Sequence, residues 1–484
     1  MPHILALDIG TSSVRAAIYD FAGNVLPETM VKRERIVNFT EDGGAELTAD
    51  EAFGQVCEAI NEVLAKTTKT IEYVAASCFW HSLVGIDSEG KATTNVFTWA
   101  ETRPAKYVQT LRDNLNETLI HNRTGARFHS SFWTAKLLWL KMEFPGVFDK
   151  TDKWLSFSDY MALKLFGKVS TSVSMASGTG VFNIRHHEWD DDLLEFLDIK
   201  SECLPEIADD DQTFQTSRWE KLKDAKWFLA IGDGAANNVG AGCLQKTKAA
   251  LMIGTSGAMR VAYEGEIPKQ IPPGLWCYRI DRKKVIVGGA LSDGGGLYRW
   301  LKDTLKIAEV DDIVEAEIKK REPDSHGLTF LPFLAGERST GYHENAKGGI
   351  LGLTQHTNAV EITQAAMESV AFRFAEIYEQ LQKVVDIKTI IASGGALRES
   401  PVWTQIIADA LGQNLCLPDT REASSRGVVL LALENLGKIA DIAELPTPEG
   451  NNFNFDQKRY EIYLAARKRH EHFYQLLMNE SAKF

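Results

Sequence analysis

One short polar turn occurs twice in this sequence. Ile9-Gly10-Thr11-Ser12 follows the apolar run Ile4 to Leu7, and Ile253-Gly254-Thr255-Ser256 follows the run Ala249 to Met252. Each turn leads into a second, mostly apolar run, Ala16 to Tyr19 and Met259 to Tyr263. An apolar run, a tight polar turn and another apolar run predict a β-hairpin. Glycine lets the backbone approach a ligand closely. Thr and Ser hydroxyls, with the backbone N–H groups of the turn, can hold anionic oxygens such as those of a phosphate. For either copy alone a structural hairpin is the commoner explanation. Two copies half a chain apart predict a duplicated unit with a phosphate gripped between the halves.

The copies differ at one telling position. Asp8 precedes the first turn where Met252 precedes the second. A single carboxylate beside a phosphate turn suits Mg²⁺, which favours one or two carboxylates together with water and phosphate oxygens.

At 484 residues the chain has room for two large domains. The repeat divides them as 1–244 and 245–484. The net charge of −13 argues against a nucleic-acid partner, which needs a basic face, and for small-molecule ligands. No stretch of about eighteen apolar residues predicts a membrane span. The first apolar run reaches Asp8 too soon for a signal peptide. Six scattered cysteines without a CxxC pair read as reduced thiols of a cytoplasmic protein.

Secondary structure follows from pattern. Thr48-Ala49-Asp50-Glu51 reads as a capping box opening a helix with Phe53, Val56, Ile60 and Val63 on one face. Tyr73 to Cys78 and Val96 to Trp99 read as strands, and Lys136 to Lys141 as part of an amphipathic helix. Ser156 to Gly167 reads as a helix closed by Gly167, and Ser170 to Ile184 as strand and turn. Glu361 to Gln382 is a long helix leading to a strand at Thr389 to Ala392. Ser400 caps the next helix, with Pro401 at its first position.

Three groups of residues carry candidate chemistry. Asp233 follows an apolar strand and begins a run of small residues. It reads either as a general base for an attacking hydroxyl or as an ordinary turn or N-cap aspartate. Gly394-Gly395 follows a strand and precedes a helix, either a plain turn or a seat for a phosphate or a flat ring. Trp80-His81 and Trp99-x-Glu101-x-Arg103 end strands, where α/β folds bind ligands, and suit either a polyol pocket or a core with surface charges. No GxxxxGK[ST] motif is present, so nucleotide binding rests on the duplicated turns.

Five stretches together resemble the FGGY family of carbohydrate kinases. Asp8 to Arg15 is similar to the family's first phosphate motif and Gly254-Thr255-Ser256-Gly257 to its second. Gly232-Asp233-Gly234-Ala235 through Gly242 resembles the catalytic-base motif, and Ser393-Gly394-Gly395-Ala396 the adenosine motif. Gly348 to Leu353, continuing through Glu368, resembles the C-terminal signature. Within the family, Trp80 to Gly85, Ser174 to Gly180, Gly274 to Arg279 and Phe330 to Ser339 look most like bacterial gluconate kinases. Glu101 stands where these proteins more often have Asp, and Ser400 where relatives often have an adenine-facing Asn.

The resemblance implies an α/β fold of two duplicated ribonuclease H-like domains, the actin-like ATPase architecture, around a central cleft. It implies ATP and Mg²⁺ as cofactors, and a sugar or sugar acid as substrate. Asp233 would be the catalytic base. Thr11, Ser12, Ser13, Arg15, Gly254, Thr255, Gly295, Gly394, Gly395 and Ser400 would bind the nucleotide. Trp80, His81, Glu101, Arg103, Ser131 and Asp233 would meet the substrate, with His129 and Lys136 as further candidates for its acid group. Asp8 and Asp233 would serve the metal. D-gluconate is the foremost substrate expected, with a pentulose such as xylulose as the alternative. A nucleotide-switch ATPase on the same fold is the rival from another class, and a homodimer is the default assembly.

Overall fold

A computed structural model describes residues 3–307, 310–419 and 422–481. Met1 and Pro2 of the expected first hairpin lie outside these. Two seven-stranded sheets form the body of the molecule.

Each sheet starts from one of the two hairpins. His3–Ile9 pairs antiparallel with Ser13–Tyr19, and Lys248–Ile253 with Gly257–Glu264. A third antiparallel strand flanks each hairpin, Val31–Glu34 in the first sheet and Lys284–Leu291 in the second. On the other side of each opening strand lies a parallel neighbour, Ile71–Cys78 and Thr389–Ser393. A second parallel strand follows in each, Lys226–Phe228 and Leu415–Pro418. Parallel neighbours require a crossover, usually a helix. Ala49–Ala65 provides it in the first half and Ala359–Gln382 in the second. The same five-strand order in both halves is the duplicated fold expected from the sequence. His3–Ile9 is buried at every position, as a strand covered on both faces must be.

Several local readings change. Thr48 sits at the N-cap of Ala49–Ala65, but its side chain makes no capping hydrogen bond. The reciprocal capping box belongs to Asn358 and Glu361, which starts the long helix at Ala359. Ser170 to Ile184 contains a short helix, Val173–Ser177, because the Ser172 hydroxyl accepts from the Met175 N–H. Trp133–Glu143 is not amphipathic: residues 133–140 are all buried, Lys136 among them. The helix Ser156 to Gly167 forms as expected, with Ser156 and Asp159 capping each other and Gly167 left-handed at φ 66°.

The halves are interleaved. Helix Ala423–Asn435, from the second half, covers the first sheet, packing Val428, Val429 and Leu433 against Ile4, Ala6 and Ala75. It crosses helix Asp233–Gly240 at backbone contact distance. A Cβ on Gly240 would lie 1.8 Å from the Ala423 carbonyl oxygen, and one on Gly427 would lie 1.9 Å from that of Ala236. These two glycines bring the helix that begins at Asp233 against the helix preceded by Glu422.

Candidate active site

The two turns face one another across a cleft of about 810 Å³. Asp8, Thr11, Ser12, Ser13 and Arg15 line it from one side, and Gly254, Thr255, Gly394 and Gly395 from the other. Asp233 lines it too, at the first residue of helix Asp233–Gly240. The fold thus brings together residues separated by most of the chain.

The first turn carries its own charge pair. Arg15 Nη1 lies 3.0 Å from Asp8 Oδ2, and the Ser77 hydroxyl donates to Asp8 Oδ1 at 2.8 Å. Strand register sets this, because Asp8 and Arg15 are direct cross-strand partners. Arg15 also reaches Glu422 at 3.6 Å. Gly394 has φ +104°, and a Cβ there would lie 2.1 Å from the Ile253 carbonyl oxygen, so only glycine fits beside the second turn.

Asp233 is half-buried, and its Oδ1 accepts the Gly234 N–H at 2.7 Å. Burial pushes its carboxyl up to about 6; Arg260 pulls against that and Asp8 adds to it. A carboxyl near 6 is ionised at neutral pH yet basic enough to take a proton. Arg260 was not anticipated from sequence. It stands in the otherwise apolar strand Gly257–Glu264 and lines the cleft beside Asp233. A charged side chain among Met259, Val261 and Ala262 was the available signal.

His81, one of the expected substrate contacts, is buried with φ 67°. Its Nδ1 faces the Gly178 carbonyl at 2.5 Å, so Nδ1 carries the proton and Nε2 can accept from Arg338 at 3.4 Å. Burial and the nearby Arg338 hold the ring neutral. Lys136 is fully buried, and its Nζ donates to the carbonyls of His81 and Thr98, both at 2.7 Å. Burial brings this amine down to about 7. The Ser131 hydroxyl donates to the Trp99 carbonyl at 2.8 Å, and the Trp99 indole donates to Thr11 at 3.2 Å. Ser131 and Lys136 therefore fix the wall rather than present free groups.

Five expected contacts take other places. Trp80 is buried against Gly178, Gly232 and Gly234, with its indole N–H donating to the Ser174 carbonyl at 2.9 Å. Glu101 is fully buried, binding the Ala45 N–H at 3.1 Å and pairing with Arg103. Arg103 also pairs with Glu46 and lies over the rings of Phe97 and Trp139. These pairs tie Arg103 to strand Ala45–Leu47 and leave both charges already partnered. Ser400 is a buried N-cap accepting from the Trp403 N–H at 3.0 Å, so its hydroxyl is already engaged. Gly295 donates to the Gly254 carbonyl at 2.8 Å and braces the second turn from behind.

The loop around Gly336 to Lys347 reaches across from the second half. Arg338 lies over the Trp99 ring, 5.5 Å from its centroid, and Glu344 accepts from the Ser130 hydroxyl at 2.8 Å. Of this loop, Gly336 to Ser339 alone belongs to a stretch with a family likeness in the sequence, and nothing local there points to a contact.

Comparison with known proteins agrees with this geometry. The model of the FGGY family of carbohydrate kinases, N-terminal domain, matches residues 3–225, and that of the C-terminal domain matches residues 249–435. A gluconokinase of Bacillus subtilis is 27% identical over 90% of this chain and 88% of its own. The crystal structure of gluconate kinase from Lactobacillus acidophilus superposes with a TM-score of 0.91 at 28% identity, covering 100% of this chain and 99% of that one. A ligand-bound xylulose kinase from the same organism reaches the same TM-score at 27% identity, covering 100% of both. Two phosphate turns and an acid on one cleft, with both family models matched along the chain, make this protein a member of the FGGY family of carbohydrate kinases.

Proposed function

We propose that the protein transfers the γ-phosphoryl group of ATP to a hydroxyl of a sugar acid, foremost the 6-hydroxyl of D-gluconate. The observation that carries this reading is the convergence of both phosphate turns and Asp233 on one cleft. The turn amides and the hydroxyls of Thr11, Ser12 and Thr255 would hold the phosphate chain. Asp233 would accept the proton of the attacking hydroxyl while orienting it toward the γ-phosphorus. Arg15 would face the charge of the phosphate tail. Gly394 and Gly395 would let the nucleoside lie against the backbone.

Mg²⁺, when bound, would offset the charge of the phosphate chain, with Asp8 as the residue to hold it. Asp8 suits it: both its oxygens already have protein partners, a setting for a hydrated ion rather than a bare one. Asp233 stands second to it for this duty.

Gluconate is favoured by the B. subtilis relative and by Arg260 and Arg338, two guanidinium groups without a direct ion pair among the described residues. A pentulose is the second reading, favoured by the equal superposition of the xylulose kinase. ADP release measured with gluconate, xylulose, glycerol and no sugar separates them. Strong stimulation by gluconate above the others is expected, while slow turnover indifferent to any sugar would refute the kinase reading.

A further inference from the structure

Four arginines are buried among the described residues: Arg35, Arg260, Arg279 and Arg373. Three have partners. Arg35 donates to Gln55 and to the carbonyls of Gly10 and Ala52. Arg279 donates to the carbonyls of Ile184 and Arg282, and Arg373 pairs with Glu337 and Glu376. Arg260 differs: as in Arg373, its Nε and Nη1 are buried with no hydrogen-bond partner, but among the described residues no carboxylate forms an ion pair with it, and Asp233 acts on it only from beyond contact. A buried guanidinium without an acceptor is costly unless something else supplies one.

Arg338 repeats the pattern. Its contacts are the neutral His81 ring nitrogen and the Trp99 face, and neither carries a negative charge. These hold the guanidinium in place without neutralising it. Tyr278 lies near both arginines, and its ring packs against Trp80 and His81 with centroids 5.2 and 5.7 Å apart. Its hydroxyl is also buried without a partner. Asp233 is the acid facing this group, and it is not in direct contact with Arg260.

We infer that Arg260, Arg338 and the Tyr278 hydroxyl form a carboxylate-recognition subsite, which selects sugar acids over neutral polyols and ketoses. The inference rests on the sugar-kinase reading above and adds which side chains read the acid. A planar carboxylate matches guanidinium donors in charge and geometry, as a neutral hydroxyl does not. All three side chains come from the second half: strands Gly257–Glu264 and Trp276–Arg279 and the loop carrying Arg338.

The test compares D-gluconate with D-glucitol, the neutral polyol bearing CH₂OH in place of the carboxylate. The ratio of kcat/KM for gluconate to that for glucitol is measured in the intact protein, in Arg260→Gln and in Arg338→Gln. Each substitution is expected to lower that ratio roughly ten- to a hundredfold, the worth of a hydrogen bond to a charged group. Arg338→Lys should recover part of it, which a folding defect would not allow. Calorimetric titration of gluconate without nucleotide provides a second readout and should show the same loss of affinity. Equal losses on both substrates, or unchanged gluconate affinity in both variants, overturn the subsite. Transfer to neutral sugars only, by the unaltered protein, would also overturn it while leaving the kinase reading intact. If no sugar is phosphorylated at all, the kinase reading fails, and the titration still decides the subsite.

Discussion

The two hairpin turns share a motif and differ in charge. In the first, Ile9 pairs with Val14 and four residues form the turn; in the second, Ile253 pairs with Gly257 and three do. Gly10 donates to the Ser13 carbonyl at 2.9 Å, and Gly254 to that of Ser256, also at 2.9 Å. Beyond the turn, the first hairpin sets Arg15 opposite Asp8 and neutralises it locally. The second puts Met252 opposite Ala258 and has its arginine, Arg260, on the cleft wall without a direct ion pair among the described residues. Duplication supplied two turns of one pattern, which the proposed function reads as two equivalent phosphate grips. Divergence in the flanking residues left a carboxylate beside the turn in one half and an arginine with unpartnered N–H groups in the other.

The sharpest way to break this division is at the acid that faces both turns. Asp233→Asn should lower kcat by ~10² to 10⁴, the usual worth of a positioned base, with ATP affinity measured by titration largely retained. The pH profile should agree. Asp233 acts only when ionised, and its carboxyl sits at about 6. The acid limb of kcat/KM should therefore fall as pH drops below about 6 and stay level above it.

Asp8 tests the asymmetry itself. Asp8→Asn should weaken the Mg²⁺ dependence of turnover by ~10- to 100-fold, as loss of an outer-sphere metal partner does. It should also shift the acid limb to lower pH, because Asp8 is one of the charges raising the Asp233 carboxyl. A Mg²⁺ titration and a pH series check both. If the turns are equivalent grips, Thr11→Ala and Thr255→Ala should raise KM for ATP by similar factors, each about tenfold for one hydrogen bond to a charged oxygen. A large effect from one and none from the other would mean a single half holds the phosphates. Ser400→Ala gives the smallest effect. As a buried helix cap its loss should cost about 1 kcal/mol of stability, seen as a lower melting temperature, with KM for ATP unmoved.

Much of the fold was legible because it rests on patterns local in sequence. The hairpins, the crossover helices and the glycine-closed helix at Gly167 follow from apolar runs, spacing and caps. Thr48 misled because a capping-box sequence permits the hydrogen bond without requiring it. Lys136 misled because a lysine inside a helix suggests an exposed face, whereas two carbonyls from distant loops bury this one.

The chain by itself determined the duplicated architecture and its two polar turns, since each turn follows from an apolar run and a short motif, and it marked the acid at 233 as a candidate. The tertiary structure decided which polar side chains remain free to meet a ligand. Glu101 and Arg103 neutralise each other, and Ser400 and Trp80 are engaged by backbone groups, while Arg260 keeps buried N–H groups without an acceptor and Arg338 meets a neutral ring nitrogen and an aromatic face. Partnering is a property of groups distant in sequence, brought within about 3 Å only by folding, and no local pattern records which pairs will close.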